Sequence, residues 1–238
     1  MYPDIVALRA FYRSPLGITA RHLVRRRVLD IWSPIAGEEL LGLGYATPYL
    51  SRFKADGGNI TALMPARTGA AHWPDSAANL AGLVDEMELP LSNGSMERIL
   101  MVHSLENTEN YRELLREVWR VLAPGGRVLL VVPNRRSTWA RSDVTPFGYG
   151  RPFSFGQLRR TLRENDFEPV SWHGALYVPP SHRRMAVKAL GSLEAWGNRL
   201  WRNFCGVLIV EVEKQMHVPA VAAKRARRGA SILVPATS

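Results

Sequence analysis

An α/β protein is what this sequence predicts: a mostly parallel sheet covered by helices on both faces. Three observations carry that prediction. Short apolar runs alternate with helical stretches from Glu39 to Val132. The run Val128-Leu129-Leu130-Val131-Val132 is apolar at every position, as a strand buried on both faces must be. Tyr111 to Leu122 sets Leu114, Leu115, Val118 and Val121 on one helical face and Arg112, Glu113, Arg116, Glu117 and Arg120 on the other, the pattern of a helix lying on a sheet. Strands that alternate with such helices form a parallel sheet.

The elements follow in order. Asp4 to Trp32 has helical spacing, interrupted at Pro15 and Gly17, and ends before Pro34 and Gly37. Glu39–Leu43, Asn59–Met64, Leu80–Val84, Arg98–His103 and Arg127–Val132 are the five strands, with a helix at Thr47–Phe53. Asn107 or Thr108 can cap the Tyr111–Leu122 helix. Pro124 stops that helix, and Gly125 and Gly126 reverse the chain into the fifth strand. Asn134 to Pro152 is a loop rich in Pro, Gly and aromatics. A helix at Ser154–Glu164, a bent strand at Phe167–Tyr177, a long helix at Arg183–Asn203 and a last strand at Gly206–Val212 complete the fold. From Pro219 onward the chain has no apolar periodicity and reads as disordered. The expected organisation is a helical extension at 1–37, a domain at 38–214 and a basic tail at 215–238.

The 238 residues suffice for one well-buried domain. A hydrophobic share of 46% and a charged share of 22% exclude a mostly disordered or collagen-like chain. One cysteine, Cys205, excludes an internal disulfide and a cysteine-based zinc site, and no metal site is expected. The longest stretch without a charged residue is the fourteen residues from Pro169 to His182, three of them proline, so no bilayer span is expected. Asp4, Arg9 and Arg13 interrupt any secretory signal, and the expected compartment is the cytoplasm. The net charge is +10. Residues 1–37 carry six basic and two acidic groups, and residues 214–238 carry five basic groups and no acid. These basic flanks suit an anionic partner, nucleic acid or an acidic membrane surface. They are equally compatible with a solvated helix face and an unpartnered tail.

The segment Leu40-Leu41-Gly42-Leu43-Gly44-Tyr45-Ala46-Thr47 runs from an apolar strand through small residues into a helix. Small residues at that point let a backbone approach a ligand closely, or simply make a tight turn. The sixth position of the glycine pattern is Thr47, which departs from the nicotinamide-dinucleotide fingerprint. Together with Asp85-Glu86-Met87-Glu88-Leu89-Pro90-Leu91, His103-Ser104-Leu105-Glu106 and Arg116-Glu117-Val118-Trp119-Arg120-Val121-Leu122-Ala123-Pro124-Gly125-Gly126-Arg127, this segment resembles the class I S-adenosylmethionine-dependent methyltransferases of the type 11 group. The resemblance implies a Rossmann-like, seven-stranded, mostly parallel sheet with its last strand antiparallel. It also implies S-adenosylmethionine as cofactor and methyl transfer to an unidentified small or medium acceptor.

Residue by residue, the resemblance places Gly42, Gly44, Tyr45 and Ala46 under the methionine end of the cofactor, with Met64 at the end of the second strand. Asp85 is implied to accept a hydrogen bond from the adenine amine, with Glu86 beside it, and His103 to stand near the sulfonium and the acceptor as a candidate base. A histidine there can also be purely structural. Leu40 stands where the family carries an acid before the first glycine, and Thr61 to Ala66 lacks the customary acid after the second strand. Each such charge-assisted bond contributes about 1.5–3 kcal/mol, so other groups must replace them if the cofactor is to bind. Arg135, Trp139, Tyr149 and Arg151 lie in the loop over the carboxyl edge and are the candidate acceptor contacts. Two other readings stay open: a methyltransferase-like binding or regulatory module without turnover, and an RNA-directed methyltransferase that uses the basic flanks.

Overall fold

The structure, a computed structural model, describes residues 3–32, 34–180 and 204–215. The expected helix at Arg183–Asn203 and the tail from Pro219 lie outside the described residues.

Ser14 ends one helix and begins the next. Its backbone N–H closes α1 (Ile5–Arg13), and its hydroxyl accepts the Gly17 N–H that opens α2 (Pro15–Ile31). The sequence expectation of a break at Pro15 and Gly17 is therefore displaced by one residue. Pro15 occupies a first-turn position, where its missing N–H costs nothing. Gly17 lies inside α2, where a Cβ would stand 1.9 Å from the Phe11 carbonyl oxygen, so the two helices meet closely there.

The chain then alternates as the sequence predicts: β1 (Glu39–Gly44), α3 (Thr47–Ala55), β2 (Asn59–Pro65), β3 (Ala81–Val84), β4 (Met96–Val102), α4 (Tyr111–Val121) and β5 (Leu122–Pro133). After a long loop come α5 (Phe155–Glu164), β6 (Phe167–Ala175) and β7 (Val207–Lys214). The seven strands run β3-β2-β1-β4-β5-β7-β6. The first five are parallel, and β7 is antiparallel to both β5 and β6. This is the predicted sheet, with its antiparallel last strand.

Three local expectations shift. The cap of α4 is Asn110, whose side chain accepts from Glu113 N, because Asn107 and Thr108 are drawn into a buried turn instead. Leu122 belongs to β5, where it pairs with Met96 ahead of a register shift at the glycines. β6 ends at Ala175, before a left-handed Leu176. Ser154 does cap α5, in a reciprocal box with Gln157.

Strand alternation divides the core into two layers. Leu40, Met64, Leu100, Leu129 and Ile209 face α1, α2 and α3, while Leu41, Leu63, Ile99, Leu130 and Val210 face α4 and α5. The N-terminal helices thus share a core with the sheet. Among the described residues no helix is long and apolar enough to cross a membrane.

Two charged residues of the α4 motif brace the connection into β4. Arg120 donates to the carbonyls of Leu89 and Leu91 and to Glu117, and Glu117 accepts from Leu89 N at 2.9 Å. The Arg120 hydrogen bond holds the Glu117 carboxyl below the ordinary carboxylate range. That contribution to stability is present above the ordinary carboxylate pKa and is lost as pH falls through the lowered value. Arg120→Ala is expected to lower stability by about 2 kcal/mol in urea unfolding, since it removes hydrogen bonds made by a charged donor. An unchanged midpoint would show the brace to be idle.

Candidate active site

The carboxyl ends of β1, β3 and β4 lie along one edge of the sheet, and the sequence places its polar residues there. At the end of β1, Gly44 turns with φ +81° and Tyr45 N donates to Val102 O at 2.7 Å, tying the turn to β4. Thr47 then starts α3, with Pro48 in its first turn. Gly42 serves packing: a Cβ there would meet Leu50 Cδ1 at 2.6 Å and Ala46 Cβ at 3.1 Å. Ala46 and Met64 are fully buried, Met64 in the layer under the N-terminal helices.

At the end of β4, His103 takes φ 51°, in the left-handed region that a histidine rarely adopts. Three contacts hold it. Its Nδ1 lies 3.2 Å from Glu106 Oε1, its Nε2 lies 2.9 Å from the Tyr12 hydroxyl, and the Phe147 ring lies 5.0 Å away. A carboxylate oxygen only accepts, so Nδ1 carries the hydrogen, and in the neutral ring Nε2 then accepts from Tyr12. Tyr49 lies 3.0 Å from Tyr12 and completes a buried chain, Tyr49 to Tyr12 to His103 to Glu106. Burial pushes the Tyr12 and Tyr49 phenols above their ordinary value. Burial also raises Tyr45, although Arg9 opposes the shift.

The turn after β4 is polar and buried. Ser104, Glu106, Asn107 and Thr108 are all buried, and among the described residues Ser104 Oγ, Glu106 Oε2, Asn107 Oδ1 and Thr108 Oγ1 have no hydrogen-bond partner. Glu86, after β3, repeats the pattern. It is 4% exposed and one carboxylate oxygen pairs with Arg67, while Oε2 has no partner among the described residues. Buried polar atoms are ordinarily satisfied, so these oxygens are the candidate acceptors for a donor-bearing ligand at the carboxyl edge, Glu86 after β3 and the 104–108 turn after β4, with β2 and β1 between them.

The structure sorts the sequence candidates. Asp85 is exposed and its Oδ1 accepts from Met87 N at 2.9 Å, closing its own turn, so the buried acid with a free oxygen is its neighbour Glu86. Both ring nitrogens of His103 are engaged and the residue is 2% exposed, so His103 is braced where the sequence suggested a base. In the loop after β5, Trp139 is buried with Nε1 donating to Val178 O at 2.7 Å, and the Tyr149 hydroxyl donates to Asp143 O at 3.1 Å. The first ties the loop to the segment after β6, and the second holds the loop itself. Arg135 and Arg151 are exposed, and the Arg151 N–H donates to Glu106 O at 2.7 Å, which lays the loop against the buried turn.

Sequence reading missed Tyr12, Glu106, Asn107 and Thr108. Glu106 sat inside a quoted motif and showed a usable signal, an acid three residues after the candidate histidine. Nothing local pointed to Tyr12, which reaches the site from a helix 91 residues away in the chain.

Residues 41–130 match the family model of a methyltransferase domain of type 11. The fold is the Rossmann-like fold of the class I methyltransferases. A solved S-adenosylmethionine-dependent methyltransferase from Thermotoga maritima superposes on it with a TM-score of 0.65 at 16% identity, covering 89% of this chain and 96% of that one. The geranyl diphosphate C-methyltransferase of Streptomyces coelicolor, solved with Mg2+, geranyl diphosphate and S-adenosylhomocysteine, superposes with a TM-score of 0.54 at 12% identity, covering 80% of this chain and 79% of that one. At such identities the likeness is one of fold. The demethylmenaquinone methyltransferase of Lactococcus lactis is 42% identical over 45 residues, which is 19% of this chain and 18% of that protein. The chain therefore matches less than a fifth of that curated relative's length.

The group to set against this edge is S-adenosylmethionine, on which the Thermotoga maritima methyltransferase depends. It presents an ammonium, two ribose hydroxyls and an adenine amine, all donors. The unpaired atoms of Glu86, Ser104, Glu106, Asn107 and Thr108 are carboxylate, amide and hydroxyl oxygens, all able to accept. The residues present fit the group.

Proposed function

We propose that this chain is an S-adenosylmethionine-dependent methyltransferase of a small or medium acceptor. The buried, unpartnered oxygens at the carboxyl edge of the matched domain carry the reading. Bound there, the cofactor supplies an electrophilic methyl group on a sulfonium. Glu86 accepts hydrogen bonds from the adenosine end, taking the part that the family resemblance implies for Asp85. The turn at Gly44, Tyr45 and Ala46 and the turn at 104–108 border the methionine end.

The protein's share of the chemistry is alignment, which turns an encounter into a near-unimolecular step. The engaged ring of His103 holds Glu106 in place through Oε1, and Glu106 Oε2 stays available to accept a hydrogen from an acceptor N–H or O–H. Tyr12 packs on Tyr45 at 5.5 Å and Phe147 on His103 at 5.0 Å, so aromatic rings flank the imidazole. Arg151, exposed and bonded through its N–H to Glu106 O, and Arg135, exposed in the same loop region, suit an acceptor with an acidic group.

Titration calorimetry of the chain with S-adenosylmethionine and S-adenosylhomocysteine tests this. Micromolar binding is expected, and Glu86→Gln is expected to weaken it about tenfold or more, because a charge-assisted bond becomes a neutral one. Absence of binding at millimolar cofactor overturns the reading. A binding module without turnover is the second reading, favoured by β2 ending in Met64-Pro65 with no carboxylate. Its signature is cofactor binding without methyl transfer to any of a panel of amines, phenols and carboxylic acids.

A further inference from the structure

The outward faces of α1 and α2 combine two features that a solvated surface has no use for together. On α1, Val6 is 71% exposed, and Ala7 and Ala10 are exposed beside it. At 100° per residue, Val6 and Ala10 lie on one stripe with Arg13, and Arg9 sits at its margin, while Leu8 and Tyr12 point into the core. On α2, Ile18 is 47% exposed on the face that also carries His22, Arg25 and Arg26. The two acids of this region are already engaged: Asp4 accepts from Ala7 N at 2.7 Å, and Asp30 lies 3.4 Å from Arg27. The surface continues past α1, because Phe11 packs edge-on to Phe147 at 6.0 Å. The loop holding Phe147 exposes Arg141, Asp143 and Val144, the last at 65%.

Aliphatic side chains standing outward between arginines gain nothing from a phosphate backbone, which takes charge and stacking. They do gain from an interface where alkyl groups enter the acyl boundary and guanidinium groups reach up to anionic headgroups. We propose that the exposed faces of α1 and α2 dock this protein on an anionic lipid surface. The opposite face of α1 carries Tyr12 to His103, so docking sets the lipid surface against the helix that covers the buried polar turn. This inference is independent of the methyl-transfer reading.

The test is sedimentation of the full chain with phosphatidylcholine vesicles containing one-quarter phosphatidylglycerol, beside vesicles of phosphatidylcholine alone and a polyuridine RNA. The expected result is binding to the mixed vesicles that falls steeply with added salt and is at least tenfold weaker without phosphatidylglycerol. Val6→Glu with Ile18→Glu is expected to reduce that binding at least tenfold. Both positions are exposed, so the thermal midpoint of the double variant should match that of the unchanged chain, which separates loss of docking from loss of fold. Equal vesicle binding by the double variant overturns the proposal, because another basic segment then carries the affinity. Equal binding to both vesicle types overturns it too, as does retention on RNA without retention on vesicles.

Discussion

Gly44→Ala is expected to lower stability by about 3–5 kcal/mol and the thermal midpoint by about 10 °C, a large effect for one added methyl group. Two costs add. The backbone at Gly44 holds φ +81°, which costs an L-residue about 1–2 kcal/mol. The new Cβ would also lie 2.3 Å from Val102 O and 2.8 Å from Ser104 Cβ, so β1 and β4 must part at the edge where the candidate site lies. Gly57→Ala is the control. Gly57 has φ +89°, but a Cβ added there would have nothing within 4 Å, so it bears the conformational cost alone. Chemical denaturation of the two variants separates strain from collision. Equal losses would mean that β4 yields freely and that the turn is no tighter than an ordinary one. Because the collision falls on Ser104, Gly44→Ala should also weaken S-adenosylmethionine binding under conditions where the variant is still folded.

The fold was legible because its signals are local. The all-apolar Val128–Val132 run and the amphipathic α4 each report their own burial, and the order of such signals implies the sheet. The Gly44 turn was legible for the same reason. What the sequence concealed is relational. Asp85 and Glu86 are adjacent acids with the same intrinsic chemistry, and only the path of the chain after β3 exposes one and buries the other. His103 looked like a base because an isolated histidine at a strand end is free to act. Its partners, Tyr12 and Glu106, come from α1 and from the next turn, and neither contact has a periodicity to betray it. Trp139 and Tyr149 looked like ligand contacts because aromatics over a sheet edge are often so used, yet both polar tips reach backbone carbonyls close by.

Tyr12→Phe should produce the second large effect, and its pH dependence makes it diagnostic. The substitution keeps the ring against Tyr45 and Phe11 but removes the hydroxyl between Tyr49 and His103. His103 Nε2 is then left buried without its donor while the backbone still holds a φ of 51°, and a loss of about 2–3 kcal/mol at neutral pH follows. At alkaline pH the gap between the two chains narrows. Burial raises the Tyr12 and Tyr49 phenols above the ordinary 10.0 in the folded chain. Each therefore contributes stability that is complete below pH about 10 and is lost as pH rises toward the folded value, at about 1.4 kcal/mol per pH unit for each phenol. Counting Tyr45, the unchanged chain carries three such groups and the variant two, so the variant's stability should decline less steeply above pH 10 and the two curves should converge. Urea unfolding between pH 7 and pH 11 reads both limbs. Parallel curves would mean that Tyr12 ionises in the folded state as readily as in the unfolded one, and the buried chain from Tyr49 to Glu106 would then not hold in solution.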